Sequence, residues 1–315
     1  MDLIRRQWFF FALAAVFILV LADPTRILVE SGRVFKDNHG PDILIFLIFI
    51  LSGCIIDVEQ IRAGLRDFSS TLTALLLIVV VSPIAAVLLG LSGSQTGIIL
   101  GLYIVSVMPT TLSSGVVMTD KAGGNMAHAL FITILSNIVA IVSIPVVLSF
   151  LLRFLDQERS LVIDQGAIIL KLIIIVLLPL TAGMILKHRV FDITQKLRQL
   201  FQNLNQWMVV FIIFMSLASV RDILLSRLDS ILVILPLTLV FHTILLAAAF
   251  GFCKLFRIDK GRRESVIFMG SQKTLPLSIV IQMNYFPEFG TALLVCVLHH
   301  VVHLMMDGYL CEKLK

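Results

Sequence analysis

Charge is scarce in this chain. Asp, Glu, Lys and Arg make up 14% of its 315 residues, against about 25% in an ordinary soluble domain, too few to cover a soluble surface. Cysteine is scarcer still. Cys54, Cys253, Cys296 and Cys311 are scattered with no CxxC pair, which excludes a disulfide framework and a zinc-finger spacing and leaves free thiols in or near helices. Nucleotide and hydrolase signatures are missing. There is no G-x-x-x-x-G-K-[ST] to hold phosphates and no His-Glu-x-x-His zinc helix. There is no G-x-S-x-G elbow either. No low-complexity linker and no soluble domain interrupts the chain. No apolar segment carries an acid at a clearly central position, since Asp57, Asp120 and Asp307 all fall near segment ends. Without a metal motif, an elbow or paired membrane carboxylates, an intramembrane enzyme has no chemistry to work with. No cofactor is expected.

What fills the chain instead is apolar sequence. Hydrophobic residues reach 58% and the mean hydropathy is +1.02, so most of the chain belongs in lipid. The net charge of +5 then reads as loop charge that sets orientation, not as a nucleic-acid surface. Ten apolar segments follow one another: 8–22, 41–56, 70–91, 97–119, 125–151, 165–186, 204–220, 229–253, 264–283 and 289–310. Each is near the ~20 residues that a bilayer core requires. The longest polar stretches are Asp23–Asp42, Leu152–Asp164 and Lys187–Asn203. Arg5 and Arg6 before Trp8–Leu21 have the look of a signal peptide. Because spanning segments continue along the whole chain, an uncleaved first helix is the reading taken.

Of the 25 Lys and Arg, 16 fall on the side of the N-terminus and 7 on the other. The positive-inside rule then puts both termini in the cytoplasm of a multi-pass protein of the cell membrane. The basic run Lys254, Arg257, Lys260, Arg262 and Arg263 belongs to that pattern. Ten segments divide as five plus five, with 1–151 and 152–315 as halves. An odd number in each half forces the second to be inverted. Pro83 and Pro236 lie in the third segment of each half, and Pro109 and Pro276 in the fourth, as an inverted repeat would have them.

The fourth and ninth segments are interrupted. The fourth runs through Met108-Pro109-Thr110-Thr111-Leu112-Ser113-Ser114-Gly115, and the ninth holds Ser271-Gln272-Lys273-Thr274 before Pro276. Unwound backbone in a membrane is tolerated where protein or a wet cavity satisfies it. Half-helix ends carry partial charges that bind ions and anions. Two such segments at matching places are the sequence pointer to a transporter's site. Single hydroxyls among them are explained well enough by packing and by bonding to the i−4 carbonyl. Lys273 is not. About 15 Å of helix separates it from either end of its segment, too far to snorkel. A central lysine costs roughly 2.5–3.5 kcal/mol unless it faces protein or water. Such a lysine could bind and release a proton, or hold an anion.

Other polar groups carry weaker signals. His299, His303 and Asp307 share a helix face at i, i+4, i+8. A proton relay, a metal pair and plain hydrogen bonding within the bundle all fit, the last best. His242 reads as packing and Lys171 as a boundary residue. Asn137 reads as a helix-to-helix hydrogen bonder, and Gly97-x-x-x-Gly101 as a close helix approach.

Met108–Gly115 with Gly123-Gly124-Asn125, and Gly270-Ser271-Gln272-Lys273, resemble the bile acid:sodium symporter (BASS) family, and more closely its divergent SBF-like branch. The resemblance covers nearly the whole chain. It implies an all-α membrane fold of ten transmembrane helices as two inverted five-helix repeats, with crossed, broken helices 4 and 9. Helices 3–5 and 8–10 would form a core domain and helices 1, 2, 6 and 7 a panel domain, with an organic anion bound between them. The departures are specific. Sodium-coupled members carry Pro-Gly-Gly then Ser-Asn on helix 4. Here Thr110 and Thr111 follow Pro109, Ser114 matches the serine, and Gly115 replaces the asparagine. On helix 5, Ala129 stands at the serine position and Thr133 at the threonine position. Helix 9 of such members reads Glu-x-Gly-x-Gln-Asn. Here Phe268 stands for the glutamate, Gly270 and Gln272 match, and Lys273 replaces the asparagine.

A carboxylate is thus lost and a cation gained at one crossing. The expected function is secondary transport of a small organic anion by alternating access, with Lys273 standing in for a coupling ion or carrying a proton. The binding set would be Thr110, Thr111, Ser113, Ser114, Thr133, Ser271, Gln272, Lys273 and Thr274. Sodium-coupled symport of a bile-acid-like anion is one alternative. A non-transporting membrane regulator or sensor is the other.

Overall fold

A computed structural model describes residues 2–56, 68–91, 93–112, 114–155, 163–190, 194–226 and 228–314. Asp57 and Ser113 lie outside them, as do the loop residues Arg62, Arg66 and Arg159. The described residues form helices with no strand among them. In chain order these are α1 (Asp2–Leu21), α2 (Ile27–Asp37), α3 (Gly40–Ile55), α4 (Phe68–Gly90), α5 (Thr96–Val107), α6 (Ser114–Lys121) and α7 (Met126–Leu152). There follow α8 (Gln165–Lys187), α9 (Gln195–Ser226), α10 (Leu228–Leu255), α11 (Arg262–Ser271), α12 (Leu275–Tyr285) and α13 (Gly290–Lys313).

Among the described residues, six helices are long and apolar enough to cross a membrane, or seven if α2 and α3, bent by 68°, make one span. The fourth and ninth apolar segments fail that test because each is split, into α5 and α6 and into α11 and α12. Two polar stretches differ from the sequence reading. Asp23–Asp42 holds α2, and α9 begins inside Lys187–Asn203. The reason for α2 is local. The Asp23 carboxylate accepts from the Thr25 hydroxyl at 2.7 Å and the Leu28 amide at 2.9 Å, satisfying early N–H groups of the helix. The Thr25 hydroxyl and these amides hold the Asp23 carboxyl below its usual range.

The chain divides into two units. One comprises residues 1–55 and 174–231. In it Gly53 of α3 lies against the Leu180 carbonyl and Gly183 of α8 against that of Ile50, so close that a Cβ on either would collide with backbone. Gly183→Ala should therefore destabilise the protein by about 1–3 kcal/mol, the usual penalty of overpacking. Gly251→Ala has open space around it and should be neutral or slightly stabilising, as expected for a helical glycine replaced by alanine. Thermal melts of the two variants check the contrast. In the same unit Arg221 donates to the carbonyls of Val20, Leu21 and Asp23 at the end of α1.

The other unit comprises residues 56–173 and 232–315. Gly97 and Gly101 of α5 meet Thr291 and Ala292 of α13, the close approach expected of a small-residue stripe. α4 widens to a π turn over Leu77–Val81, just before Ser82-Pro83. Proline lacks an N–H and clashes with the preceding turn, and a local π turn relieves both. α8 shows the same device at Ile173–Leu177 before Pro179, whereas Pro236 lies inside α10 without one.

Candidate functional site

The site is the meeting place of the two breaks, and sequence chemistry opens both. Pro109 bars Met108 from helical backbone. Met108 is extended at φ −71° and ψ 146°, and α5 stops. Gln272 ends α11 at φ −71° and ψ 148°, almost the same conformation. Pro276 then fits the first turn of α12, where a missing N–H costs nothing. The breaks are tied through the backbone, since the Thr274 amide donates to the Pro109 carbonyl at 2.9 Å.

Lys273 is 2% exposed, and its ammonium donates to three backbone carbonyls: Ile78 at 3.1 Å, Ser106 at 3.0 Å and Met108 at 3.1 Å. An ammonium has three donors, so all are used. Each carbonyl has a reason to lack a helical partner, although that of Ser106 also accepts from the Ser82 hydroxyl at 2.9 Å. Ser106 lies in the last turn of α5 and Met108 follows it, where helix carbonyls lose their partners and the dipole is negative. In the π turn the Ser82 amide bonds back to Leu77. The same register would give the Ile78 carbonyl the N–H of residue 83, which is proline and has none. Lys273 supplies the missing donor. It makes no ion pair among the described residues.

Gln272 is the second hub and is fully buried. Its Oε1 accepts from the Thr111 hydroxyl at 2.7 Å and the Ser114 hydroxyl at 2.9 Å. Its Nε2 donates to Asp307 Oδ2 at 2.8 Å. The Asp307 Oδ1 in turn accepts from His242 Nε2 at 2.9 Å. Two of the first-break hydroxyls, the second-break amide, a carboxylate and an imidazole thus form one chain.

One sequence reading is corrected here and one is borne out. Asp307 comes late in α13, as read, and is fully buried and hydrogen-bonded within the bundle, because its helix face turns toward Gln272. His242, read as packing, is its hydrogen-bond partner. The remaining expected residues divide. Thr110 is buried with its hydroxyl unpartnered. Ser271 bonds back to Ile267 and Thr133 to Ala129, each inside its own helix. Asn137, expected to bridge helices, donates to Thr133 on its own helix instead. His303 bonds His300 at 2.9 Å and stands 3.9 Å from Asp307. No group of three or more His, Cys, Asp or Glu among the described residues is placed to hold a metal ion. A second buried polar chain escaped the sequence reading: His128 bridges the Thr71 and Ser265 hydroxyls at 3.1 and 2.5 Å.

Residues 7–315 match the model of the SBF-like CPA transporter family. A probable sodium/metabolite cotransporter BASS4, chloroplastic, from Arabidopsis thaliana is 29% identical over 278 residues, which is 84% of this chain and 63% of that protein. The chain thus spans less than two thirds of that relative's length. The protein of the same name from Oryza sativa subsp. indica is 25% identical, with 94% of this chain and 73% of the relative covered. Sodium/bile acid cotransporter 7-A from Xenopus laevis is 23% identical, with 100% of this chain and 93% of the relative covered.

Proposed function

The chain belongs to the SBF-like CPA transporter family, and from that premise we propose that it is a secondary transporter of a small organic anion that does not couple through sodium. The observation that carries the reading is the Lys273 ammonium among three carbonyls. Unwound carbonyls and half-helix C-termini are what transporters use to hold a coupling cation. Here those groups hold a cation that is covalently part of the chain. A sodium ion about 4 Å away would meet roughly 4 kcal/mol of repulsion at an effective dielectric of about 20, about a thousandfold in affinity.

The anion would lie by the N-termini of α6 and α12, where the helix dipoles are positive. Thr110, Thr111, Ser114, Ser271, Gln272 and Thr274 would line its path, with Thr133 on the adjoining helix. The near-identical backbone at Met108 and Gln272 supports two inverted repeats of five spans, with the fourth and ninth crossing at their breaks. The two units support a division of labour. The one holding α4 to α7 and α10 to α13 would be the core, and the other the panel. Both termini would face the cytoplasm, in the cell membrane.

The relatives named sodium/bile acid and sodium/metabolite cotransporters favour a second reading, sodium-coupled symport of a bile-acid-like anion. Counterflow in proteoliposomes separates the two, with taurocholate and simple carboxylates as probes. Saturable counterflow of equal rate, within about twofold, in sodium and in potassium is expected. Counterflow that requires sodium selects the second reading. No counterflow of any anion leaves a regulator or sensor.

A further inference from the structure

Beside the break lies a group of imidazoles that neither the family resemblance nor anion transport requires. His242 of α10 and His299 and His303 of α13 are each no more than 1% exposed. Their ring centroids form a near-equilateral triangle of 5.8, 5.7 and 5.4 Å. Each ring has one buried nitrogen with no partner: His242 Nδ1, His299 Nε2 and His303 Nδ1. Buried polar atoms are satisfied in nine cases of ten or more, and each exception asks for a reason. Three on adjoining rings ask for a common one.

The bond to Asp307 fixes what is missing on His242. A carboxylate only accepts, so His242 Nε2 carries the hydrogen donated to Asp307. In a neutral ring that leaves Nδ1 as a bare lone pair. His303 shares one hydrogen with His300 through its Nε2, and its Nδ1 faces Asp307 Oδ2 across 3.9 Å. That gap is too long for a hydrogen bond. A second proton on the His303 ring would make donors of both its nitrogens, with Nδ1 charge-assisted and aimed at a carboxylate, the stronger kind of bond.

We infer that the His242, His299, His303 and Asp307 cluster is a proton-binding site, with His303 Nδ1 as the seat of the proton, and that Gln272 passes its occupancy to both breaks. The route is already drawn. Asp307 Oδ2, which a protonated His303 would engage, is the atom that accepts from Gln272 Nε2. The other end of that amide holds Thr111 and Ser114. Drawing Oδ2 toward an imidazolium weakens its hold on Gln272 and so slackens the tie between the breaks. By linkage, a change at the breaks alters proton affinity in return.

The titratable or charged groups facing the cluster are His300 on the same helix, His242 on α10 and Lys273 at the second break. Among the described residues α5, α6 and α12 also pack on α13, and α11 shares a core cluster with it through Phe268 and Cys311. These helices carry Tyr103, Asp120, Lys121, Arg262, Arg263, Glu264 and Tyr285, of which Asp120, Lys121 and Arg262 are exposed and Arg263 and Glu264 pair with each other. The proton would be the partner ion that the sodium-free reading calls for, and in that role the inference rests on that reading. Proton binding itself does not depend on transport.

The test uses the full chain in lipid nanodiscs with 15N-labelled histidine, followed by NMR from pH 5 to 8.5. A water-soluble gadolinium chelate identifies exposed rings by broadening them. At least one unbroadened imidazole should titrate, and His303→Gln should remove that titration. Hydrogen exchange at residues 106–115 and 270–276, corrected for intrinsic pH dependence, should change at least tenfold over the same range in the wild type and not in His303→Gln. Should that variant not fold, the wild type decides. Buried imidazoles silent throughout overturn the inference, as does a titration that survives His303→Gln. A titrating imidazole with sodium-dependent counterflow would instead overturn the proposed coupling and leave the proton site standing.

Discussion

Replacing Lys273 with alanine should lower the melting temperature by about 5 °C or more and create a sodium response that the wild type lacks. The first effect follows from the carbonyls of Ile78, Ser106 and Met108, which lose a shared donor together; those of Ile78 and Met108 are left bare, while that of Ser106 keeps the Ser82 hydroxyl. Each hydrogen bond to a charged group is worth about 1.5–3 kcal/mol, and each buried acceptor left bare costs about 1–3 kcal/mol. Relief from burying an ammonium offsets part of this. A net loss of about 2–3 kcal/mol corresponds to roughly 5–10 °C in a chain somewhat larger than 250 residues. The second effect follows from what remains, which is three inward-facing carbonyls, those of Ser106 and Met108 at the negative end of α5, and no fixed cation. A small monovalent ion can take the vacated place and stabilise the fold by mass action. Lys273→Met keeps the bulk without the charge. It should lose the same stability and gain a smaller sodium response, because its side chain fills the space an ion would need.

Gln272→Leu should be nearly as damaging, for a different reason. It removes the acceptor of Thr111 and Ser114 and the donor to Asp307 in one step. Asp307 is fully buried and would then keep only His242 as a hydrogen-bond partner. The loss of one bond to a charged group and of two hydroxyl bonds amounts to about 3 kcal/mol or more. The readout specific to a tie between the breaks is local. Hydrogen exchange should rise about a hundredfold at residues 108–115 while the Gly53 and Gly183 crossing of the other unit stays protected. Equal loss of protection throughout would mean that Gln272 is only a general support of the fold.

How much of this was legible in the sequence depends on whether the cause was local. The breaks were, because Pro109 acts on the residue before it, and Lys273 was conspicuous against its apolar flanks. The close approach at Gly97 and Gly101 was legible for the same reason. Asp307 was not. Its distance along the chain from the end of its segment gave no warning that its face of α13 meets Gln272. The Ile78 carbonyl could not be found by motif either, since a freed backbone acceptor leaves no side-chain signature. The one clue was Pro83, five residues on, whose missing N–H the π turn converts into a site for Lys273. His242 shows the converse error. A lone histidine in an apolar helix usually packs, and only the tertiary partner Asp307 reveals otherwise.

The central claim is that a lysine occupies the place of a coupling cation. The most direct measurement is the melting temperature of the purified protein in sodium against potassium at fixed ionic strength, for wild type and Lys273→Ala side by side. The account predicts no difference between the two salts in the wild type and a sodium-specific rise in the variant. A sodium-specific rise in the wild type would mean that an ion site coexists with the lysine, and would contradict it.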